Sequence, residues 1–518
     1  MKFLKYLTII SVITLTSCSN FLDTKPTDSL SPDFYYKTED ELNNALTGVY
    51  DVLGQASVYG DAMFNQLGAA SDESYYARNN QSTGPMVLNY DASDINVRDL
   101  WRSLYQGIQR ANLLLANIDK PEMDETKRNA VKGEVLFLRG YYHFLLVSNW
   151  GDVPLITEVT SSVNDTDIPR TPAKDVYTQI ISDMETAEGL VKNISDIGFS
   201  GRVSKTAVQG ILARVNLYMA GYPVQDVSKY ADALSWAKKV VSGVDGAHSL
   251  NPDYKQIFIN YAQDKYDINE SIWEVEFWGN RIGNAYQESG RVGNTNGILC
   301  GDMNEGYSYG FIGATPKLFN LYEATDSRRD WAIAPYKYVA QTSEKLNWKP
   351  EEIFQRNMGK FRREYELIEK QKNFTPQNFP ILRYADVLLM LAEAENEVNG
   401  PSDLAHDMIN QVRTRANATP FTASNNNRFT NKEDFRAEIQ DERARELCFE
   451  ALRIPDLRRW GIYVSEMKEV AAEITSDAPA GFKYSAIAGN NMGERHILFP
   501  IPLYEMSLNK ALVQNKGW

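Results

Sequence analysis

The chain has 518 residues, 43% hydrophobic and 24% charged, with a net charge of −14. That composition is globular and long enough for a large core, so it excludes a disordered chain. It holds no basic stripe for nucleic acid, and three cysteines are too few for a disulfide scaffold. Neutral ligands fit this charge most simply, although a local arginine cluster can outweigh a global field.

Lys2 and Lys5 precede a mostly apolar run, Tyr6 to Leu15, which falls short of the ~20 residues that span a bilayer. Leu15-Thr-Ser-Cys18 follows. The pattern reads as a signal peptide over residues 1–17, and the four residues look like the lipobox of bacterial lipoproteins, with Cys18 the acylated residue. Palmitate-like chains on Cys18 would anchor the body at ~0.8 kcal/mol per buried CH₂. Removing Lys2 and Lys5 takes the net charge from −14 to −16. Residues 18–38 are Ser/Asn/Asp/Thr/Pro-rich and read as a tether.

Helical patterns follow. Thr38 and Glu41 form a capping box for a helix through Leu42, Leu46, Val49 and Leu53. Arg98–Asn117 and Thr126–Asn149 continue the theme, the second stopping at Trp150-Gly-Asp-Val-Pro154. Ser204 caps a helix with Val208, Ile211, Leu212, Val215 and Met219 on one face, and Tyr230–Val241 follows. Leu382–Val398 is apolar all round, hence central and buried, and pairs with Leu404–Arg415. Helix, short turn, helix is the look of a TPR unit, here without a strict ~34-residue period. The fold expected is mainly α, with TPR-like pairs forming a superhelical scaffold, long loop-rich insertions and little β. Ser271–Phe277 alternates like a strand.

Two regions, 72–96 and 279–313, read as long loops, a length uncommon without a function. The first carries Tyr75, Tyr76, Arg78, Asn79, Asn80, Gln81 and Tyr90; the second, with Trp278 beside it, carries Asn280, Arg281, Tyr286, Tyr307 and Tyr309. Aromatic rings suit the apolar C–H faces of sugars, and Asn, Asp, Arg and Gln suit their hydroxyls. As single residues these aromatics are expected to pack their loops. As a group, at least two of Tyr75, Tyr76, Trp278 and Tyr286 are expected to touch ligand, among the candidates Tyr75, Tyr76, Arg78, Asn79, Asn80, Trp278 and Tyr286.

Gln440–Trp460 reads QDERARELCFEALRIPDLRRW. On one helix, Ala444, Leu447, Cys448 and Ala451 form an apolar face opposite Glu442, Glu446 and Glu450, and Asp441 can pair with Arg445. The arginines should hold these acids ionised in a structural network rather than in acid/base work. Catalytic signatures are poor. The four histidines, His143, His248, His406 and His496, show no zinc spacing, and His143 reads as packed. There is no P-loop. Asp91-x-Ser-Asp94 reads as turn chemistry, not a calcium loop. No metal, cofactor or catalytic residue is assigned.

In its ordered segments the chain resembles the SusD/RagB outer-membrane lipoproteins. Those segments are Phe21-Leu-Asp23 after Cys18, Leu67-Gly-Ala-Ala-Ser-Asp-Glu73, Leu138-Arg-Gly-Tyr-Tyr142, Trp150-Gly-Asp-Val-Pro154, Gly201-Arg-Val-Ser-Lys205, Arg383-Tyr-Ala-Asp386, Val412-Arg-Thr-Arg415, Asp441–Trp460 and Pro500-Ile-Pro502 through Gly517-Trp518. Ala451 stands where the family often has glycine, and Ser19-Asn20 leaves Asp23 as the nearby acid of the tether. The resemblance implies an N-terminal TPR-like region over 39–250, a loop-rich insertion over 251–375 and a C-terminal helical region over 376–518. It further implies a non-catalytic lipoprotein of the outer membrane facing the exterior. Such a protein binds oligosaccharide or polysaccharide and delivers it to a SusC-type TonB-dependent transporter. Peptide cargo, or a TPR-like face that binds only protein, are the alternatives, and a glycan hydrolase is a third class.

Overall fold

The computed structural model describes residues 35–160, 166–282 and 289–518. The signal segment, Cys18, most of the tether and Tyr286 lie outside the described residues. The longer helices in chain order are α1 (Glu39–Gly54), α2 (Ile95–Ala116), α3 (Glu125–Trp150), α4 (Ala173–Glu188), α5 (Lys205–Ala220), α6 (Lys229–Ser242), α7 (Tyr254–Ala262), α8 (Tyr384–Asn399), α9 (Asp403–Arg415), α10 (Lys432–Leu447), α11 (Arg453–Arg459) and α12 (Tyr463–Asp477). Each of α1 to α6 packs on a neighbour in sequence, and α8 lies against α6, α9 and α10. This is the mainly α, TPR-like scaffold expected. The capping box forms as read, with Glu41 N donating to Thr38 Oγ1 at 3.2 Å and Thr38 N to Glu41 Oε2 at 3.1 Å. Ser204 caps α5 through Ala207 N.

The core runs through α3, α5 and α8, whose inward positions are buried nearly all round. His143 is packed there, Nδ1 against Arg139 O at 3.0 Å, and burial first of all pushes its pKa down to about 4. Trp101 and Trp150 pack edge to face at 5.3 Å.

Strands are short and paired two by two: β1 (Ser74–Tyr76) with β3 (Ile312–Ala314), β2 (Ser271–Val275) with β6 (Phe379–Arg383), and β4 (Tyr336–Tyr338) with β5 (Lys345–Asn347), all antiparallel. Two readings are corrected here. Leu382 and Arg383 belong to β6, not to the first turn of the central helix, because they pair with β2. Residues 72–96 and 279–313 are not loops throughout, since Ser74–Tyr76 and Ile312–Ala314 pair as β1 and β3.

The stretch 440–460 is also not one helix. It stops at Leu447, and Phe449 (φ 64°) and Ala451 (φ 60°) turn the chain through the left-handed region before α11. A glycine would suit the Ala451 position. Glu450 nevertheless joins Glu442 and Glu446 in a buried network. Arg328 donates to Glu442 at 2.7 Å and Glu446 at 3.0 Å, Arg415 to Glu446 at 2.6 Å, and Lys360 to Glu450 at 2.7 Å. Burial raises the Glu442 carboxyl, but Arg328, Arg445 and Arg413 outweigh it and hold the group down at about 2. Glu446 is likewise held well below the carboxylate range. Arg445 pairs with Glu442 and Glu438 rather than with Asp441.

Glu274 on β2 is the opposite case. It accepts from Ser200 Oγ at 2.8 Å, Asn378 Nδ2 at 2.9 Å and Ser271 Oγ, and it forms no ion pair with a cation among the described residues. Burial pushes its carboxyl from 4.5 up to about 7. The folded state therefore holds the proton more tightly than the unfolded chain. The contribution of Glu274 to stability is therefore full below pH ~4.5 and is lost as pH rises through ~7. Glu274→Gln should remove roughly 2–3 kcal/mol of pH dependence between pH 5 and pH 8, measured by urea unfolding. An unchanged slope would contradict the assignment.

Candidate ligand-binding face

Along the segment 307–311, Tyr-Ser-Tyr-Gly-Phe, half-buried and buried positions alternate, and Gly310 (φ 56°) takes the backbone through the left-handed region. Tyr309 N donates to Asn294 O at 2.7 Å and Phe311 N to Thr295 O at 2.9 Å, while Ala77 N donates to Phe311 O at 2.7 Å. Ser308 and Gly310 face inward, and Tyr307, Tyr309 and Phe311 stand half-buried on the outer side. Their rings form a ladder. Tyr76 stacks on Phe311 at 5.3 Å and 15°, Phe311 on Tyr309 at 5.1 Å and 5°, and Tyr307 meets Tyr309 edge-on at 5.0 Å. Offset-stacked and edge-to-face pairs of this kind are the favoured aromatic geometries.

Cations and amides border the ladder. Arg78 lies over Phe311, its carbon 4.6 Å from the ring centre, and is pinned by Ala77 O at 2.6 Å and by Tyr309 O. At the other end Lys372 Nζ sits 4.8 Å over Tyr307, and Tyr309 Oη donates to Asn373 Oδ1 at 2.9 Å. Asn294 Nδ2 holds the two segments together, donating to Tyr307 O at 2.9 Å and Lys372 O at 2.7 Å. The buried Arg363 adds a peg, donating to Tyr307 O at 2.7 Å and to Gln371 O at 2.8 Å. Next along, Arg281 covers Phe374 at 4.2 Å.

Beside it Trp278 is 59% exposed and lines an apolar groove of about 340 Å³ with Ile282, Leu367 and Ile368. Adjacent exposed apolar side chains of this size mark an interaction site more often than a single exposed leucine does.

Of the predicted site residues, Tyr76 and Arg78 belong to this face, Asn79 and Asn80 are exposed in the turn after it, and Trp278 stands in its groove. Tyr75 does not join them. It points to the opposite face of β1, is 4% exposed, and donates from Oη to Phe354 O at 2.8 Å. Its ring lies over Gly313, where an added Cβ would come within 2.3 Å. Tyr76 is itself 9% exposed, so it backs the ladder rather than offering a free ring. Phe311, Lys372, Asn373 and Phe374 were missed. The period-two pattern of aromatics at 307, 309 and 311 signals the first. Nothing local signals residues 372–374, which arrive by folding. Cys448 and Cys300 are both buried free thiols.

Residues 336–518 match the profile described as the SusD family, and residues 20–217 match one described as starch-binding, associating with outer membrane. The chain belongs to the SusD family. Among its relatives, SusD-like protein P25 of Formosa agariphila is 26% identical, over 96% of this chain and 95% of the other. The starch-binding protein SusD of Bacteroides thetaiotaomicron is 23% identical, over 97% and 96%. The crystal structure of a SusD homologue from Bacteroides thetaiotaomicron superposes with a TM-score of 0.87 at 26% identity, covering 94% of this chain and 98% of that one. The SusD-like fold thus extends over nearly the whole chain.

Proposed function

We propose that this SusD-family protein binds oligosaccharide or polysaccharide on the Tyr307–Tyr309–Phe311 face and passes it, unaltered, to a SusC-type transporter of the outer membrane. The ladder carries the reading. It is a half-exposed row of rings on a rigid support, edged by Asn373, Asn79 and Asn80. Sugar C–H faces lying on such rings remove apolar area from water at ~25 cal/mol per Å², and the amides meet hydroxyls. The profile description of starch binding and the starch-binding relative point the same way. Acylation of Cys18 would tie the protein to the membrane, facing the exterior, while the 18–38 tether lets it move against the transporter.

Catalysis is not part of the reading. Most of the deeply buried acids at the centre of the fold are held by arginines. Native gels cast with single polysaccharides test this. The protein should be retarded by some glycans and release no reducing ends from them. Reducing-end release would favour the hydrolase, and co-purification with a transporter without retardation by any glycan would favour a protein-only role.

A further inference from the structure

The ladder is built from segments that lack acids. Residues 76–81, 278–282, 289–299 and 306–311 contain no aspartate or glutamate, in a chain with 68 of them, yet they hold Arg78, Arg281 and Arg291. Residues 367–374 add Lys370 and Lys372 against the single acid Glu369. Elsewhere on the surface cations are commonly paired with carboxylates, as in Lys127–Glu39 at 2.8 Å and Arg436–Glu397. Among the described residues Arg78, Arg281, Lys370 and Lys372 have no carboxylate within ion-pair distance, and Arg291 has only the buried Asp61 at 3.6 Å. Several of these cations are set on rings: Arg78 on Phe311, Lys372 on Tyr307, and Arg281 and Arg291 on Phe374 at 4.2 and 5.9 Å. Cations without a carboxylate partner and aromatic rings are therefore in direct contact on this face.

Resting on the proposed function above, we infer that the glycan taken by this face is anionic, bearing carboxylate or sulfate groups. A protein of net charge −14 repels a polyanion at long range, so the local cations must supply the attraction. Guanidinium and ammonium groups suit both oxyanions, and their pull on exposed groups is screened by salt. The expectation from global charge, that a neutral ligand fits best, is reversed at this site.

The test uses eight polysaccharides in native gels and calorimetry: alginate, polygalacturonate, chondroitin sulfate and carrageenan against laminarin, soluble starch, arabinoxylan and galactomannan. The inference expects retention by at least one of the first four, with affinity falling at least tenfold between 50 and 500 mM NaCl. It also expects a loss of at least tenfold in the exposed double variant Arg281→Gln, Lys372→Gln, with an unchanged melting curve. Alginate and polygalacturonate report on carboxylate, carrageenan on sulfate. Retention by neutral glycans only, or anionic binding indifferent to salt and to the double variant, would overturn this inference and leave glycan binding standing. Retention by none of the eight would overturn the glycan reading itself.

Discussion

Replacing Tyr309 and Phe311 together with alanine is expected to weaken glycan binding at least tenfold, about 1.4 kcal/mol or more. The two rings lie nearly parallel, 5.1 Å apart, and make the centre of the ladder. Neither ring is fully buried, so the loss should fall on binding more than on folding. Tyr309→Phe separates the contributions. It keeps the ring and removes only the hydroxyl bound to Asn373, so it should retain most of the affinity. Calorimetry with the glycan that retards the wild type checks both variants, and circular dichroism checks the fold. Undiminished affinity in the double variant would remove the ladder from the site. Tyr75→Phe supplies a contrast, since it loses only an internal bond to Phe354 O and should bind glycan as the wild type does.

The second large effect lies in the core. Arg383 is 1% exposed and donates to Glu450 at 2.7 and 2.9 Å, to Glu270 at 2.9 Å and to Glu446 at 2.9 Å. Arg383→Met leaves these buried carboxylates short of one shared cation. Breaking a buried pair in this way costs about 3–5 kcal/mol, because the remaining charges have lost their compensation. Urea unfolding should show a loss of that size. Arg383→Lys keeps the charge but not the forked geometry, and should fall between wild type and Met. A cost under about 1 kcal/mol for Arg383→Met would mean that Arg415, Arg328 and Lys360 hold the acids without it.

The helical scaffold was largely legible in the sequence because its signals are local. Thr38 with Glu41, and Ser204 before an apolar face, mark helix starts at the residues that cap them. The Gln440–Trp460 segment yielded its network of acids held by arginines, but neither the Asp441–Arg445 pair nor its course. Phe449 and Ala451 adopt positive φ without being glycine, and no local signal announces such a turn. Arg383 looked helical because it adjoins the apolar run of α8. Its strand pairing with Ser271 is set more than a hundred residues away.

The candidate face divides the same way. Composition drew attention to both loops, and Arg78 and Trp278 lie where a ligand could reach them. The pattern did not say which of two adjacent tyrosines faces inward. The register of β1 on β3 decides that, placing Tyr75 over Gly313 and Tyr76 against Phe311. The contribution of 372–374 depends on Arg363 and Asn294 fastening that segment beside Tyr307. Side chains so distant in sequence come together only in the folded chain.

The most direct measurement is a crystal structure of the protein with an oligosaccharide cut from the polysaccharide that retards it. The account predicts a sugar ring lying on Tyr309 and Phe311, with Asn373, Arg281 or Lys372 within hydrogen-bond distance of its substituents. An oligosaccharide bound elsewhere on the molecule, with the ladder bare, would contradict it.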